Sequence, residues 1–285
     1  MATQGHTDHT RGMRVPVRRR AALAAGTAVL AGLLSGCAWP GSLGSVPGQE
    51  DPAPAALPKY YDPAPMLADV TARTRTDRTA TLDVAGTLTG TGGPVPVSGD
   101  GALRVDPAGA APAVRLVLLT GPEGTARPVD LVRIGTRTWL RPPGGGWGEP
   151  GRTPMPPASA VDATVAANVA GGADPLGAVN RYPDAVLVAD ARDDDVDGTP
   201  AVHYTLVVDL VRAIAGEHDP QRREALAAQQ RAGVTRLSTE IWLDADRRPL
   251  RTRIRQQLPG AGTLDLLVRY RDWGAPVTID PPVQG

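Results

Sequence analysis

Apolar side chains recur at every second position in several short segments of this chain, within residues 79–141 and 185–273. In the first stretch Ala80, Leu82 and Val84 alternate with threonine and aspartate. A period of two sends successive side chains to opposite faces of a β-strand, so that one face packs on a core and the other meets water. The pattern predicts ten strands, at about residues 79–89, 97–106, 113–120, 128–134, 137–141, 185–191, 201–208, 234–244, 250–258 and 263–273.

Short turns separate these strands, and helical segments interrupt them. Consecutive strands joined by short turns predict an antiparallel meander, and a sheet of about ten strands tends to curl. Helical spacing appears at residues 66–77, 159–169 and 209–230, the last broken near Gly216 and Pro220. The expected fold class is α+β, with a curved, mostly antiparallel sheet of about ten strands (a half-barrel) and helices covering its concave face.

Two apolar stripes at helical spacing are expected to face this sheet. They are core residues if the interior is solid and cavity-lining residues if it is hollow, because both situations need the same apolar side chains. The cavity-lining candidates are Val161, Val165, Val169, Leu206, Leu210, Ile214 and Trp147. Trp147 follows a run of three glycines, where it could act as a lid over a cavity mouth or simply pack within a variable loop.

The first 36 residues have the pattern of a secretory signal peptide. Five arginines precede Ala21–Leu34, an apolar run of 14 residues, shorter than the roughly 20 that span a bilayer. The segment Leu34-Ser35-Gly36-Cys37 follows, and it resembles the lipobox of bacterial lipoproteins. Cys37 is the single cysteine of the chain, and the resemblance implies that its thiol is acylated. The alternative is an ordinary signal peptide with a chance cysteine.

The boundaries that follow are a signal peptide at 1–36, a lipid-anchored flexible tether at 37–58 and one ligand-binding domain at 59–285. The tether is rich in Pro, Gly, Ser and Ala and has too little apolar content to fold. The chain has 30 basic and 30 acidic residues, and removal of the leader leaves 25 and 29, a net charge of −4. Nucleic-acid binding, which needs a basic surplus, is excluded on this basis. The predicted location is the extracytoplasmic face of the cell membrane.

A lipobox, a tether and a long antiparallel sheet interrupted by helices together resemble the LppX/LprG-type lipoproteins of actinobacteria (the LppX/LprAFG group). The segments at residues 240–250, which reads EIWLDADRRPL, and 132–140, a hairpin that presents Trp139, fit the same pattern. These proteins share a LolA/LolB-like half-barrel. The resemblance implies a palmitate-type anchor on Cys37 and an apolar cavity that holds the acyl chains of a lipid.

The function expected from these features is binding and transport of a lipid or another hydrophobic ligand in the half-barrel cavity. The expected partners are this ligand and the membrane, reached through the lipid anchor, and the protein is expected to be a monomer. An alternative function is regulatory, with an envelope protein docking on a sheet face that carries Arg251, Arg253 and Arg255. That face could equally be an ordinary wet surface balanced by nearby carboxylates such as Asp265.

No catalytic or metal-binding pattern stands out in the mature chain. The run from Asp193 to Gly198 matches the first half of a calcium loop, but Tyr204 occupies the position of the bidentate ligand. An acidic hairpin turn with Asp197 and Gly198 at its tip is the favoured interpretation. Neither His203 nor His218 has ligand-spaced neighbours, and no nucleophile motif occurs. Neither enzymatic activity nor a cofactor is expected.

Overall fold

The computed structural model describes residues 56–150, 152, 157–258 and 262–283, with the side chains of 157–162 and 178 excepted. The predicted leader, the lipobox residues Leu34, Ser35 and Gly36, the acylation site Cys37 and most of the tether lie outside these ranges. Leu57 and Tyr60, at the junction between tether and domain, pack against the folded part.

The strands all belong to one antiparallel sheet. They are β1 (Thr79–Gly90), β2 (Gly93–Arg104), β3 (Ala113–Thr120), β4 (Arg127–Ile134), β5 (Arg137–Arg141), β6 (Val186–Val196), β7 (Thr199–Asp209), β8 (Arg236–Leu243), β9 (Pro249–Leu258) and β10 (Gly262–Arg271). Their order across the sheet is β5-β4-β3-β2-β1-β10-β9-β8-β7-β6. Two meanders of consecutive strands therefore meet where β1 pairs with β10, for example at Val84 opposite Val268.

Five helices accompany the sheet in the described part of the chain: α1 (Pro63–Asp77), α2 (Pro157–Gly172), α3 (Gly177–Asn180), α4 (Leu210–Gly216) and α5 (Pro220–Arg231). Side-chain caps begin several of them, because Asp62, Asp209 and Asp219 each accept a hydrogen bond from a backbone N–H of the first turn. The prediction of an α+β fold with a ten-stranded, curved antiparallel sheet and helices over one face is confirmed.

The concave face of the sheet carries two apolar clusters, each beneath its own helices. The first lies under α2, where Val165 and Val169 pack on residues of β1–β5 and β10 such as Leu131 and Val268. The second lies under α1, α4 and α5, where Met66 and Leu210 pack on residues of β6–β8. The inward positions are those that the alternation of apolar residues predicts.

The convex face has a smaller apolar cluster that is covered by the C-terminal segment. Ile279, 1% exposed, packs with Ala113, Val132 and Trp139, which are outward residues of β3–β5. Trp147 packs against the same cluster, beneath the guanidinium of Arg141, which lies 5.1 Å from the centre of the indole ring. Apolar side chains of the C-terminal segment therefore cover part of the convex face, which the alternation of residues in the strands does not predict.

Glycines on the inward face allow neighbouring strands to approach closely where the sheet bends. A Cβ atom added at Gly101 would lie 1.9 Å from the carbonyl oxygen of Arg115, and one added at Gly99 would lie 2.4 Å from that of Val117. Gly86 is similar, at 2.5 Å from the carbonyl oxygen of Asp265. Glycine in a strand interior commonly marks such a close approach or a sharp bend. These positions contribute to the curvature that makes room for helices on the concave side.

Candidate ligand cleft

A cleft of about 610 Å³ lies between the helices and the concave face of the sheet. Its walls come from α1, the β2–β3 connection, the end of α2 through α3, the inward side of β7–β9, and α5. This volume lies within the range of roughly 300–1,000 Å³ that is typical of small-molecule sites. A molecule bound there would contact both the helices and the sheet.

The C-terminal end of α2 forms one wall of the cleft and is fixed to the sheet. A Cβ atom at Gly172 would lie 3.0 Å from a methyl group of Leu266 and 3.2 Å from one of Ile254, so the helix rests directly on β9 and β10. The hydroxyl of Tyr270 donates a hydrogen bond to the carbonyl oxygen of Ala173 at 3.2 Å. Glycine at this end of α2 therefore lets the helix approach the strands closely.

The lining is amphipathic. Apolar side chains such as Val208, Leu237 and Ile254 belong to inward positions of β7–β9. Charged side chains also line the cleft, among them Arg133 and Asp174. The Asp174 side chain accepts a hydrogen bond from the backbone N–H of Leu176 at 3.2 Å, and burial raises the pKa of its carboxyl group. The cleft therefore has both apolar and polar groups in its walls.

The wall formed by α5 depends on a hydrogen-bonded carboxylate in the α4–α5 junction. Glu217, 8% exposed, accepts hydrogen bonds from the backbone N–H of Asp219 at 2.9 Å, the hydroxyl of Tyr182 at 2.8 Å and Nε of Arg222 at 3.1 Å. These donors, the backbone N–H first, lower the pKa of Glu217 from 4.5 to about 2. Tyr182 also lines the cleft, so this carboxylate connects α5 to the site.

We expect Glu217→Gln to lower the melting temperature at pH 7 and to lose that effect in acid. Because the folded pKa is about 2 and the ordinary value is 4.5, the stabilisation is complete above pH 4.5 and disappears as the pH falls towards 2. Thermal unfolding followed by circular dichroism at several pH values measures the difference. Glu224→Gln is the matched control, since the side chain of Glu224 is 70% exposed and its ion pair with Arg231 lies on the surface. A Glu217→Gln effect that is the same at pH 3 and pH 7 would contradict this assignment.

The cavity-lining candidates taken from the sequence lie elsewhere. Val165, Val169, Leu206 and Leu210 are at most 1% exposed and belong to the two close-packed clusters, and Ile214 packs against the second. Trp147 lies on the convex side, and the side chain of Val161 is outside the described part. Leaving Val161 aside, none of these residues is part of the cleft lining.

One signal in the sequence could have identified a residue of the cleft. In β4 the side chains that point to the concave face are Val129, Leu131 and Arg133. An arginine thus occupies a position where the alternation otherwise places an apolar side chain. Such a departure from the pattern is a common mark of a functional position. The lining residues that come from turns and helix ends, such as Pro112 and Pro175, carry no periodic signal.

The arginine-rich face lies on the convex side of β9 and β10, and much of its charge is neutralised within the sheet. Asp265 binds both Arg253 and Arg255, at 2.9 Å and 2.7 Å, and these contacts, Arg253 first, lower its pKa to about 2. Arg251 is 3.9 Å from the carboxylate of Asp197. Docking of an envelope protein on this face stays a prediction.

The acidic run forms the β6–β7 hairpin, as expected for a turn. Asp197 and Gly198 occupy the tip, both with positive φ, and β7 begins at Thr199.

Nearby, His203 is 3% exposed, stacks on Trp242 with ring centres 3.9 Å apart and contacts Glu240 through Nε2 at 2.9 Å. Burial lowers the pKa of His203. Within the described ranges no group of three or more His, Cys, Asp or Glu side chains is arranged to hold a metal ion.

Comparison with known proteins gave matches among solved structures alone: no protein-family model and no curated protein sequence matches this chain. The structure of LprF from Mycobacterium bovis is 17% identical, with a TM-score of 0.40, over 78% of this chain and 96% of that one. MucB in complex with MucA is 19% identical, with a TM-score of 0.31, over 73% of this chain and 54% of MucB. An outer membrane lipoprotein-sorting protein domain from Vibrio parahaemolyticus is 11% identical, with a TM-score of 0.30, over 73% and 89%.

No helix in the described ranges is both long enough and apolar enough to span a bilayer.

Proposed function

We propose that this protein is an extracytoplasmic lipoprotein, anchored through Cys37, that binds and carries a lipid or another hydrophobic ligand in the cleft between its helices and its sheet. The observation that carries the proposal is the cleft of about 610 Å³ with an amphipathic lining. Pockets of this size with apolar walls and a few polar groups are typical of small-molecule sites. The lipobox and the tether, which would hold the domain close to a membrane, also support it.

The proposed mechanism is passive and involves no chemical reaction. If an acyl chain left the bilayer for water, each CH₂ group would cost about 0.8 kcal/mol of transfer free energy. Inward side chains such as Val208, Leu237 and Ile254 would replace the contacts that the chain loses. Because both environments are apolar, the exchange between membrane and cleft stays reversible.

Ala167→Trp is expected to weaken binding by at least about tenfold, because it places an indole in the cleft. Ala167 lies on α2, is exposed and lines the cleft, so the larger side chain occupies ligand space without entering the core. The measurement is fluorescence titration of the purified domain with dansyl-labelled undecanoic acid. Ala68→Trp is the matched control, since Ala68 is exposed on α1 and is not part of the lining. Equal affinity of the two variants would argue against the cleft as the ligand site.

A further inference from the structure

Arg133 lies on the concave face of the sheet among apolar neighbours. On β4 it is directly opposite Val114 of β3 and Thr138 of β5, and Leu131, two residues earlier on the same face, is fully buried. Its guanidinium reaches the end of α2, since a Cβ atom at Gly171 would lie 3.6 Å from one of its terminal nitrogens. The position therefore brings a permanent positive charge into the cleft.

The charge of Arg133 has no counter-ion among the described residues. Its Nε donates a long hydrogen bond of 3.4 Å to the carbonyl oxygen of Gly135, and no carboxylate of the described part of the chain lies within 4.0 Å of its guanidinium. Asp174, which forms no ion pair with Arg133, lines the same cleft; burial raises the pKa of its carboxyl group, and the charge of Arg133 acts against this shift. A guanidinium has five donors, and a partly buried charge without a partner is costly.

Three further arginines line the cleft. Arg75 comes from α1, and Arg181 follows α3; both side chains are exposed. Neither forms an ion pair with a described residue, whereas the third, Arg255 of β9, is bound to Asp265. The four arginines of the lining outnumber its two carboxylates, Asp106 and Asp174, and this excess gives the cleft a positive potential that suits an anion.

We infer that the ligand is an amphiphile with a carboxylate or phosphate head group, which Arg133 binds while the hydrocarbon chain lies against the inward residues of β7–β9. This inference rests on the proposed function and specifies its class of ligand. Guanidinium pairs with both anions through two parallel N–H···O bonds, which fix the head group as well as attract it. The cleft extends from Arg133 on β4 to Val208 on β7, so head group and chain are recognised by different strands.

Three amphiphiles with the same chain length test the inference: palmitate, palmitoyl lysophosphatidic acid and hexadecanol. Each is measured by displacement of a fluorescent, uncharged hexadecyl probe from the wild-type protein. We expect at least one of the two anions to bind about tenfold more tightly than the alcohol. Preference for palmitate assigns the head group as a carboxylate, and preference for the lysophospholipid assigns it as a phosphate.

Arg133→Gln is expected to remove this preference, and Arg133→Lys to retain part of it. Arg115→Gln is the matched control. Arg115 lies on β3, beside β4, but its side chain is exposed on the convex face of the sheet. Equal wild-type affinities for all three amphiphiles, or a preference that survives in Arg133→Gln, would overturn the inference and leave the proposed function standing. Failure of every amphiphile and of the probe to bind would overturn the proposed function itself. The wild-type comparison holds even if Arg133→Gln does not fold.

Discussion

Cys37→Ser is expected to move the protein from the membrane fraction to the soluble fraction of its host. If the single cysteine is the acylated residue, its loss removes the anchor, and the mature domain has a net charge of −4 and no polybasic patch to replace it. Two acyl chains hold a protein stably on a bilayer, whereas one gives only marginal binding, so the redistribution should be nearly complete. Fractionation combined with metabolic labelling by a palmitate analogue measures both the location and the acylation.

Gly36→Ala is the matched control for this experiment. It keeps a small residue before Cys37, as the lipobox requires, and is expected to remain labelled and membrane-bound. A Cys37→Ser protein that stays in the membrane fraction would mean that the apolar run of the leader, and not an acyl anchor, holds the chain there.

Gly101→Ala is expected to destabilise the domain by about 3 kcal/mol or more, which places it among the severe point mutations. The added methyl group would lie 1.9 Å from the carbonyl oxygen of Arg115, and that oxygen belongs to the backbone of the neighbouring strand, so no side-chain rotation relieves the contact. The strands β2 and β3 would have to separate at the bend. Given the size of the domain, the melting temperature should fall by roughly 6–12 °C.

Gly92→Ala provides the comparison. Gly92 lies in the β1–β2 turn, and a Cβ atom there meets nothing within 4 Å. Its melting temperature should stay close to that of the wild type. If Gly101→Ala unfolds at the same temperature as Gly92→Ala, the close approach of β2 and β3 is not a feature of the native sheet.

The strands could be predicted from the sequence because each one carries its own period of two. Leu82 and Val84 reveal β1 without any knowledge of what pairs with it. The prediction is weaker for β6, which was expected to end near residue 191 and extends to Val196. Its last residues include Asp193, Asp194 and Asp195, which are all exposed, so the alternation of apolar and polar side chains is lost there.

The pairing of β1 with β10 and the cleft could not be predicted in the same way. Val84 and Val268 are far apart in sequence, and nothing local to either strand specifies the other as its partner. The apolar stripe correctly predicted that Val165 and Val169 face the sheet. The same pattern is expected for a close-packed cluster and for a cavity wall, and these two residues belong to a close-packed cluster. The cleft instead lies between the inward residues of β7–β9 and several helices and turns, and no single periodic pattern covers this set.

The most direct test of the proposed function is native mass spectrometry of the domain purified from its own host. The wild type is expected to retain a co-purifying mass that extraction and fragmentation identify as an amphiphile with a carboxylate or phosphate group. Ala167→Trp should lack this mass, and Ala68→Trp should keep it. A wild-type protein without any bound mass, or the same mass retained by Ala167→Trp, would contradict the account of the cleft as a ligand site.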